Sequence, residues 1–121
     1  MTEPSRSRST FLEGVEELAE IRESGTDGTC SVSLSGEIDL AVSDDVVTAV
    51  RSCFTRAEHV EVDLSEVSFI DSSGLGALVL LRNEAIQQGK QLTLVQVSAA
   101  TRRLLQITGL ESSFDIRSEP V

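Results

Sequence analysis

The sequence predicts a two-layer α/β domain with a mixed, mostly parallel sheet of four to five strands and with helices mainly on one face. In residues 30–34 and 60–64, apolar side chains alternate with polar ones, which is typical of strands that bury one face. Between these segments apolar residues recur at helical spacing, so helices connect the strands and the sheet is largely parallel. Because Ser, Glu and Asp occupy the alternate strand positions, helices are expected to cover only one face.

The first helix is predicted from a stripe of apolar residues after the first strand. The stripe consists of Val42, Val46, Ala49, Val50 and Cys53. This spacing of three and four positions places all of them on one side of a helix. The second strand, residues 60–64, then leads into an irregular segment, EVSFIDSSG.

Two more helices are predicted, over residues 73–88 and 99–108, with the strand QLTLVQV between them. Gly89 and Gly109 stand where a left-handed residue commonly ends a helix, and Ser98 is placed to cap the third helix. The apolar residues expected to face the core are Leu75, Leu78, Val79, Leu81 and Ile86 in one helix and Leu104, Leu105 and Ile107 in the other.

The beginning of the chain gives weaker signals. Residues 1–10 are rich in Ser, Arg and Thr and are predicted to be a disordered tail, so that residues 11–121 form a single domain. Residues 11–23 fit either a helical stripe or an alternating strand. The run SGTDG at residues 24–28 predicts a turn.

The charge distribution argues against a nucleic-acid partner. Residues 1–71 hold 16 Asp and Glu against five Arg, whereas residues 72–121 hold four acidic against five basic residues. Binding to phosphates needs Lys and Arg clustered on one face, and no basic run here exceeds the pair Arg102 and Arg103. The change in charge falls at residue 72, where the most informative motif lies.

A cytoplasmic location without membrane attachment is expected. No stretch approaches the roughly 20 apolar residues of a membrane span, and MTEPSRSRST lacks the apolar core of a signal peptide. Cys30 and Cys53 are far apart, without a CxxC motif or a His-spaced partner, and both fall on apolar stripes. They are expected to be reduced core residues, and no metal site or cofactor is predicted.

The densest polar cluster stands where the second strand ends and the second helix begins. It comprises Asp71, Ser72, Ser73, Gly74, Leu75 and Gly76. Asp and Ser are favoured helix caps, and glycine allows another backbone to approach closely. The simplest interpretation is a well-capped start of a helix.

A nucleophilic serine is an alternative that the spacing disfavours. The only histidine, His59, begins the strand whose other end leads to Ser72, roughly 20 Å away. The only lysine, Lys90, follows the far end of the next helix, again about 20 Å away. A base must lie within about 3 Å of the serine, so Ser72 is a better candidate for modification than for catalysis.

The order of several segments resembles one protein family. The sequence GEID, an amphipathic helix, VDLSEVSFIDSSGLGAL and then GKQLTLVQVSAATRRLLQITGL resemble a STAS domain, specifically the small bacterial anti-sigma factor antagonists. The resemblance covers roughly residues 18–117 and includes an intact DSSGLG motif.

The resemblance implies a phosphorylation switch. Ser72 corresponds to the phosphoacceptor, Ser73 to its neighbour, and Asp39 to an acidic residue at the same end of the sheet. The implied partners are an anti-sigma factor that is also a GHKL-type serine kinase, which uses its own Mg-ATP, and a PP2C-like phosphatase. The residues implied in partner binding are Asp39, Asp71, Ser72, Ser73, Gly74, Leu75 and Gly76.

The expected function is therefore that of a non-enzymatic anti-sigma factor antagonist. In its unphosphorylated form it would bind the anti-sigma factor and release a sigma factor, and phosphorylation of Ser72 would end that binding. A STAS scaffold or a transporter-associated regulatory subunit is one alternative. A small serine hydrolase that uses Ser72 is another.

Overall fold

Six strands and three helices are present in the parts of the chain that the computed structural model describes, residues 6–11, 20–26 and 28–117. The strands are β1 (Arg6–Phe11), β2 (Glu20–Thr26), β3 (Thr29–Ile38), β4 (His59–Ile70), β5 (Gln91–Val95) and β6 (Asp115–Arg117). The helices are α1 (Leu40–Phe54), α2 (Ser72–Gln88) and α3 (Ala99–Thr108), and a 3-10 turn follows at Glu111–Ser113.

The strands lie side by side in the order in which they occur along the chain, from β1 to β6. The pairs β1–β2 and β2–β3 are antiparallel, and the pairs from β3 to β6 are parallel, which confirms the predicted mixed, mostly parallel sheet. A helix crosses over between each pair of parallel strands, and right-handed crossovers in one direction place all three helices on the same face. The described part of the sheet has six strands rather than four to five, because β1 and the three-residue β6 carry no strong sequence pattern.

The core lies between the sheet and the helices. Val60, Val62 and Leu64 are fully buried on β4, while Glu61 and Asp63 between them are only partly buried. The predicted apolar stripe of α1 is buried over its whole length. The one-sided burial predicted from alternation is therefore confirmed for residues 30–34 of β3 and 60–64 of β4.

Strand β4 is longer than predicted, since the irregular segment after residue 64 continues the strand to Ile70. Its register against β3 shifts between Ser33 and Ser35 and again between Gly36 and Glu37. Each shift places one extra residue on β4, which breaks the alternation of apolar side chains. Gly36 has a φ of 85°, a backbone conformation that favours glycine at such an irregularity.

Local capping signals predict the helix ends correctly. Gly89 and Gly109 adopt left-handed conformations at the ends of α2 and α3, and the Ser98 side chain accepts a hydrogen bond from the Thr101 amide. Two inward predictions are wrong, since Ile86 is 61% exposed and Ile107 is 72% exposed. Ile107 lies two residues beyond the buried Leu105, so the turn of the helix carries it to the opposite side.

The prediction of a disordered tail over residues 1–10 is wrong for residues 6–10, which belong to β1 and pair with β2. Pairing between strands uses backbone groups, so a polar sequence does not prevent it. Residues 1–5 of the predicted tail lie outside the described residues. In the ambiguous segment 11–23, residue 11 ends β1 and residues 20–23 lie in β2, whereas residues 12–19 lie outside the described residues. The predicted turn becomes a tight hairpin in which Thr26 pairs with Thr29 and Gly28 has a φ of 80°.

The expectation that the two cysteines are reduced is also wrong. Cys30 and Cys53 form a disulfide, with their Cα atoms 5.6 Å apart. Cys30 lies on the buried face of β3 and Cys53 on the buried face of α1, so the packing of helix on sheet brings the sulfur atoms together. Their separation of 23 residues contains no local motif, and for this reason the pairing is not apparent in the sequence.

Within the described residues, the model contains no helix that is both long and apolar enough to cross a membrane.

Candidate functional site

The site lies where the parallel strands β3 and β4 end side by side. Their last residues, Ile38 and Ile70, are register partners, and each is followed directly by an aspartate that caps a helix. Asp39 caps α1 and Asp71 caps α2. Because parallel strands end at the same edge of a sheet, two helix N-termini and two carboxylates are brought to one end of the molecule.

Asp71 organises the first turn of α2. Its Oδ1 accepts hydrogen bonds from the amides of Ser73, at 2.9 Å, and Gly74, at 3.1 Å. Its own amide donates to the carbonyl oxygen of Ile38 at 3.3 Å, which ties the start of α2 to the end of β3. Asp39 acts similarly in α1, where its Oδ1 accepts from the Ala41 amide at 3.1 Å.

Gly74 is required by the close approach of α2 to β3. A Cβ atom at this position would lie 2.6 Å from the carbonyl oxygen of Ile38 and 2.9 Å from Cγ1 of Ile70. Both distances are shorter than real carbon contacts allow, and one of them is to backbone. Only glycine lets the helix begin this close to the sheet.

The motif residues divide into an outward and an inward group. Ser72, the first residue of α2, and Gly76 are exposed, and Ser73 is partly exposed. Gly74 is buried, and Leu75, at 4% exposure, belongs to the core. The structure therefore brings all the predicted partner-binding residues together, but Leu75 directs its side chain inward and supports the site from beneath.

The structure keeps Ser72 away from the residues that a hydrolase would require. His59 begins β4, and its Nε2 lies 3.0 Å from Oγ1 of Thr93. Ser72 follows the other end of that 12-residue strand, more than about 30 Å away. Lys90 lies beyond the far end of α2, where its Nζ donates to the carbonyl oxygen of Ala57 at 3.2 Å.

The surroundings of Ser72 are acidic. The two segments that hold the ends of β3 and β4 and the first halves of α1 and α2, residues 34–50 and 64–81, contain no Lys or Arg. They contain six carboxylates: Glu37, Asp39, Asp44, Asp45, Glu66 and Asp71. This end of the domain is therefore suited to a basic surface.

Exposed apolar side chains border the site and were not predicted. Leu40, the first residue of α1, is 73% exposed, and Phe69, the residue before Ile70, is 48% exposed. Leu80 on α2 is 43% exposed. Leu40 falls outside the spacing of the α1 stripe, which is the one sequence signal that could have identified it.

An ion pair braces α1 against α2. Arg51 Nε donates to Glu84 Oε1 at 2.9 Å. This hydrogen bond holds the pKa of Glu84 below its ordinary value and raises the pKa of Arg51, against a smaller opposing effect of desolvation on each. The pair lies toward the ends of both helices, away from Ser72.

Across residues 6–11, 20–26 and 28–117, no group of three or more His, Cys, Asp or Glu side chains is placed to hold a metal ion.

Comparison with known proteins agrees with this architecture. Residues 20–120 match the model of the STAS domain family. An anti-sigma-B factor antagonist of Listeria monocytogenes is 34% identical over 100 residues, which cover 82% of this chain and 87% of that protein. An anti-sigma-B factor antagonist of Staphylococcus aureus is 36% identical over 83 residues, 66% of this chain and 75% of that one.

Solved structures show the same fold. An anti-sigma factor antagonist from Mycobacterium paratuberculosis superposes with a TM-score of 0.70 at 25% identity, over 94% of this chain and 87% of that chain. SpoIIAA of Bacillus, at 18% identity, matches in its unphosphorylated form with a TM-score of 0.63 over 93% of this chain and 90% of that chain. Its phosphorylated form matches with a TM-score of 0.59 over 93% of each chain.

Proposed function

The chain belongs to the STAS domain family, and from this premise we propose that it is an anti-sigma factor antagonist switched by phosphorylation of Ser72. In the unphosphorylated form it binds an anti-sigma factor that is also a serine kinase, and the sigma factor held by that protein is released. The exposed position of Ser72 at the start of α2, directly after the Asp71 cap, is the observation that carries the proposal. The chain itself is a binding module and a kinase substrate rather than an enzyme.

The modification is a phosphoryl transfer. The Ser72 Oγ attacks the γ-phosphorus of the kinase's Mg-ATP, the bond from that phosphorus to the bridging oxygen of ADP breaks, and a base on the kinase takes the hydroxyl proton. An exposed hydroxyl is needed for this in-line attack, and Ser72 meets that requirement. A PP2C-like phosphatase reverses the step by transferring the phosphoryl group to water.

The domain is suited to tolerate the phosphate, whereas its partner is not. The dipole at the N-terminus of α2 favours an anion there, so the fold survives modification. In the complex, by contrast, about two negative charges would be added beside Asp71 and Asp39, in a surface that had bound a neutral hydroxyl. A charge enclosed at an interface without a partner group costs several kcal/mol, which weakens binding by about 100-fold or more.

This function puts the chain in the cytoplasm, without direct contact to nucleic acid or membrane. A cytoplasmic pool of reduced thiols acts on disulfides, so the Cys30–Cys53 bond would be exposed to reduction there. Cys30 lies near the start of β3, however, whereas Asp39 follows its end. The proposed switch is therefore at the opposite end of that strand from the disulfide.

Incubation with candidate anti-sigma factor kinases and Mg-ATP tests the proposal. Intact-mass measurement should show one added phosphoryl group on the wild-type chain and on Ser73→Ala, but none on Ser72→Ala. Calorimetric titration should then show tight binding of the kinase to the unmodified chain and weak binding to the phosphorylated chain. Equal affinity for both forms would refute the switch, and the absence of any phosphorylating kinase would favour a scaffold or transporter-associated role.

A further inference from the structure

The Cys30–Cys53 disulfide has a cation beside it. Arg56 follows α1 by two residues, and its Nη2 lies 3.6 Å from Sγ of Cys30 and 3.9 Å from Sγ of Cys53. A neutral disulfide sulfur accepts only a weak hydrogen bond, whereas a thiolate attracts a guanidinium as a full negative charge. Arg56 therefore stabilises the reduced form of this pair more than the oxidised form.

The last turn of α1 holds Arg56 in this position. Its Nε donates to the carbonyl oxygen of Ser52 at 3.3 Å, and its Nη2 lies 3.5 Å from the Ser52 Oγ. Its own amide donates to the carbonyl oxygen of Cys53 at 2.9 Å. Because the same turn carries Cys53 and fixes the guanidinium, the cation stays close to the sulfur atoms.

The two sulfur atoms are reached from the surface along Arg56. Cys30 is 3% exposed and Cys53 is 0% exposed, whereas Arg56 is an exposed residue. The Arg56 side chain extends from solvent to the disulfide, so a movement of this one side chain opens a path for a small thiol. Cys30 keeps some exposure and is therefore the sulfur that such a reagent meets first.

The core around the disulfide suits both redox states. Cys30 and Cys53 lie on the apolar faces of β3 and α1, next to the fully buried Val32 and Val50. A free cysteine packs as a small apolar residue, so reduction removes the bond without emptying the core. We expect the chain to stay folded in both states, which a reversible redox site requires.

The surroundings of a thiol decide whether it reacts. Cysteines buried in apolar surroundings are inert, whereas those beside Arg or Lys are the reactive ones. The cytoplasm, where the proposed function puts the chain, is reducing, and disulfides that form there are usually transient or redox-sensing. Arg56 and this location therefore both favour a redox-active pair over a permanent cross-link.

We propose that Cys30 and Cys53 are a reversible redox site that exchanges with small thiols and their disulfides, and that Arg56 makes the bond reducible by stabilising the thiolate. The site lies at the opposite end of β3 from Asp39. Its redox state sets the stability of the domain and leaves phosphorylation of Ser72 unchanged.

Reduction proceeds by two exchange steps. The thiolate of a small thiol attacks Sγ of Cys30, the bond between the protein sulfur atoms breaks, and its electron pair stays on Sγ of Cys53, beside Arg56. A second small thiolate attacks the small-molecule sulfur of the mixed disulfide, which frees Cys30 and releases a small-molecule disulfide. The protein disulfide gains two electrons from the two thiols, and their protons pass to the cysteine sulfur atoms or to solvent.

Equilibration of the purified full chain with mixtures of reduced and oxidised glutathione at pH 7 tests the proposal. Alkylation then blocks free thiols, and intact mass gives the reduced fraction. The wild-type chain should pass reversibly between forms with two free thiols and with none, and circular dichroism should show that both are folded. In Arg56→Gln the equilibrium constant for reduction should fall by about tenfold, because the thiolate loses its cation.

Two variants serve as controls for the effect of Arg56. Arg56→Lys keeps a positive charge at this position and should restore most of the equilibrium constant, which a role in packing alone would not do. Arg103→Gln removes the same charge from an exposed position on α3 and should behave as the wild-type chain.

Single cysteine variants identify the sulfur that is attacked first. In oxidised glutathione, Cys53→Ala should form a mixed disulfide at Cys30 several times faster than Cys30→Ala forms one at Cys53, since Cys53 is fully buried. Equal rates would show that the assignment to Cys30 is wrong.

The outcomes separate this inference from the proposed function. If reduced glutathione leaves the disulfide intact, or if the reduced chain unfolds, the bond is a structural cross-link and the inference is wrong. If Arg56→Gln has the equilibrium constant of the wild-type chain, or if Arg56→Lys behaves like Arg56→Gln, the charge of Arg56 does not act on the sulfur atoms. None of these measurements uses a kinase, so a failure to phosphorylate Ser72 refutes the proposed function alone.

Discussion

The Asp71 side chain satisfies two amides of the first turn of α2, those of Ser73 and Gly74. Asp71→Ala removes this acceptor and should lower the free energy of unfolding by about 1 kcal/mol. Asp71→Asn keeps an acceptor oxygen and should lower the free energy of unfolding by a smaller amount. Urea denaturation of the three proteins measures the difference, and equal midpoints for Asp71→Ala and wild type would contradict the capping role.

Gly74 and Gly76 give opposite expectations for the same substitution. Gly74→Ala forces a methyl group against the carbonyl oxygen of Ile38 and should cost about 1–3 kcal/mol of stability. In Gly76→Ala the added methyl group lies in open space, so the free energy of unfolding should rise by up to about 1 kcal/mol. Thermal denaturation distinguishes the two variants, and a stabilised Gly74→Ala would show that α2 can shift away from the sheet.

At the level of elements, the disulfide links β3 to α1. It joins residues 23 positions apart, and closing a loop of this length disfavours the unfolded chain by about 3 kcal/mol. Reduction with dithiothreitol should therefore lower the urea midpoint of the wild-type chain. The urea midpoint of the double variant Cys30→Ala, Cys53→Ala should not change with the reductant. An unchanged midpoint of the wild-type chain would show that the disulfide does not stabilise the fold.

The brace between α1 and α2 should make stability depend on pH. The hydrogen bond from Arg51 lowers the pKa of Glu84 in the folded state, below its value in the unfolded chain. The folded state then binds this proton less tightly, so the stabilisation is present above the unfolded pKa and is lost as the pH falls through the folded pKa.

Urea denaturation of wild type and Glu84→Gln at a series of pH values checks this expectation. The wild-type chain should be the more stable at pH 7, and its advantage should shrink below about pH 4. Arg51 stays charged throughout this range, so the loss is due to Glu84. If the difference in the free energy of unfolding between wild type and Glu84→Gln does not change with pH, the ion pair contributes nothing to stability.

The helix ends were predictable because their signals are local. Gly89, Gly109 and Ser98 act through their own backbone or through an amide three residues away. The same holds for Asp71 and the exposed Ser72 that follows it. Such contacts lie within one turn of the chain and can be inferred from residue type and spacing.

Features that depend on distant contacts were not predictable in this way. The extra residues of β4 become visible only against the register of β3, and the pairing of Cys30 with Cys53 depends on how α1 packs. Gly74 and Gly76 look alike in the motif, and only the position of Ile38 distinguishes them. The capped start of α2 was therefore predictable, whereas the division of its residues into inward and outward groups was not.

At the scale of the whole molecule, β4 is the best protected strand. It pairs with both β3 and β5, and three of its side chains are fully buried: Val60, Val62 and Leu64. Amide hydrogen exchange should be slowest in β4 and fastest in the edge strand β6, because exchange follows local opening. Mass spectrometry of peptides from exchanged protein measures this, and equal rates in the two strands would contradict a cooperative core centred on β4.

The strand order also bears on how the chain is made. Because neighbours in the sheet are consecutive along the chain, each strand that leaves the ribosome can join the edge formed by the one before it. Among the six described strands, none has to be inserted later between two others. The end of β3, which contacts Asp71 and Gly74, is synthesised before α2, so the turn that begins α2 has its support in place when it emerges.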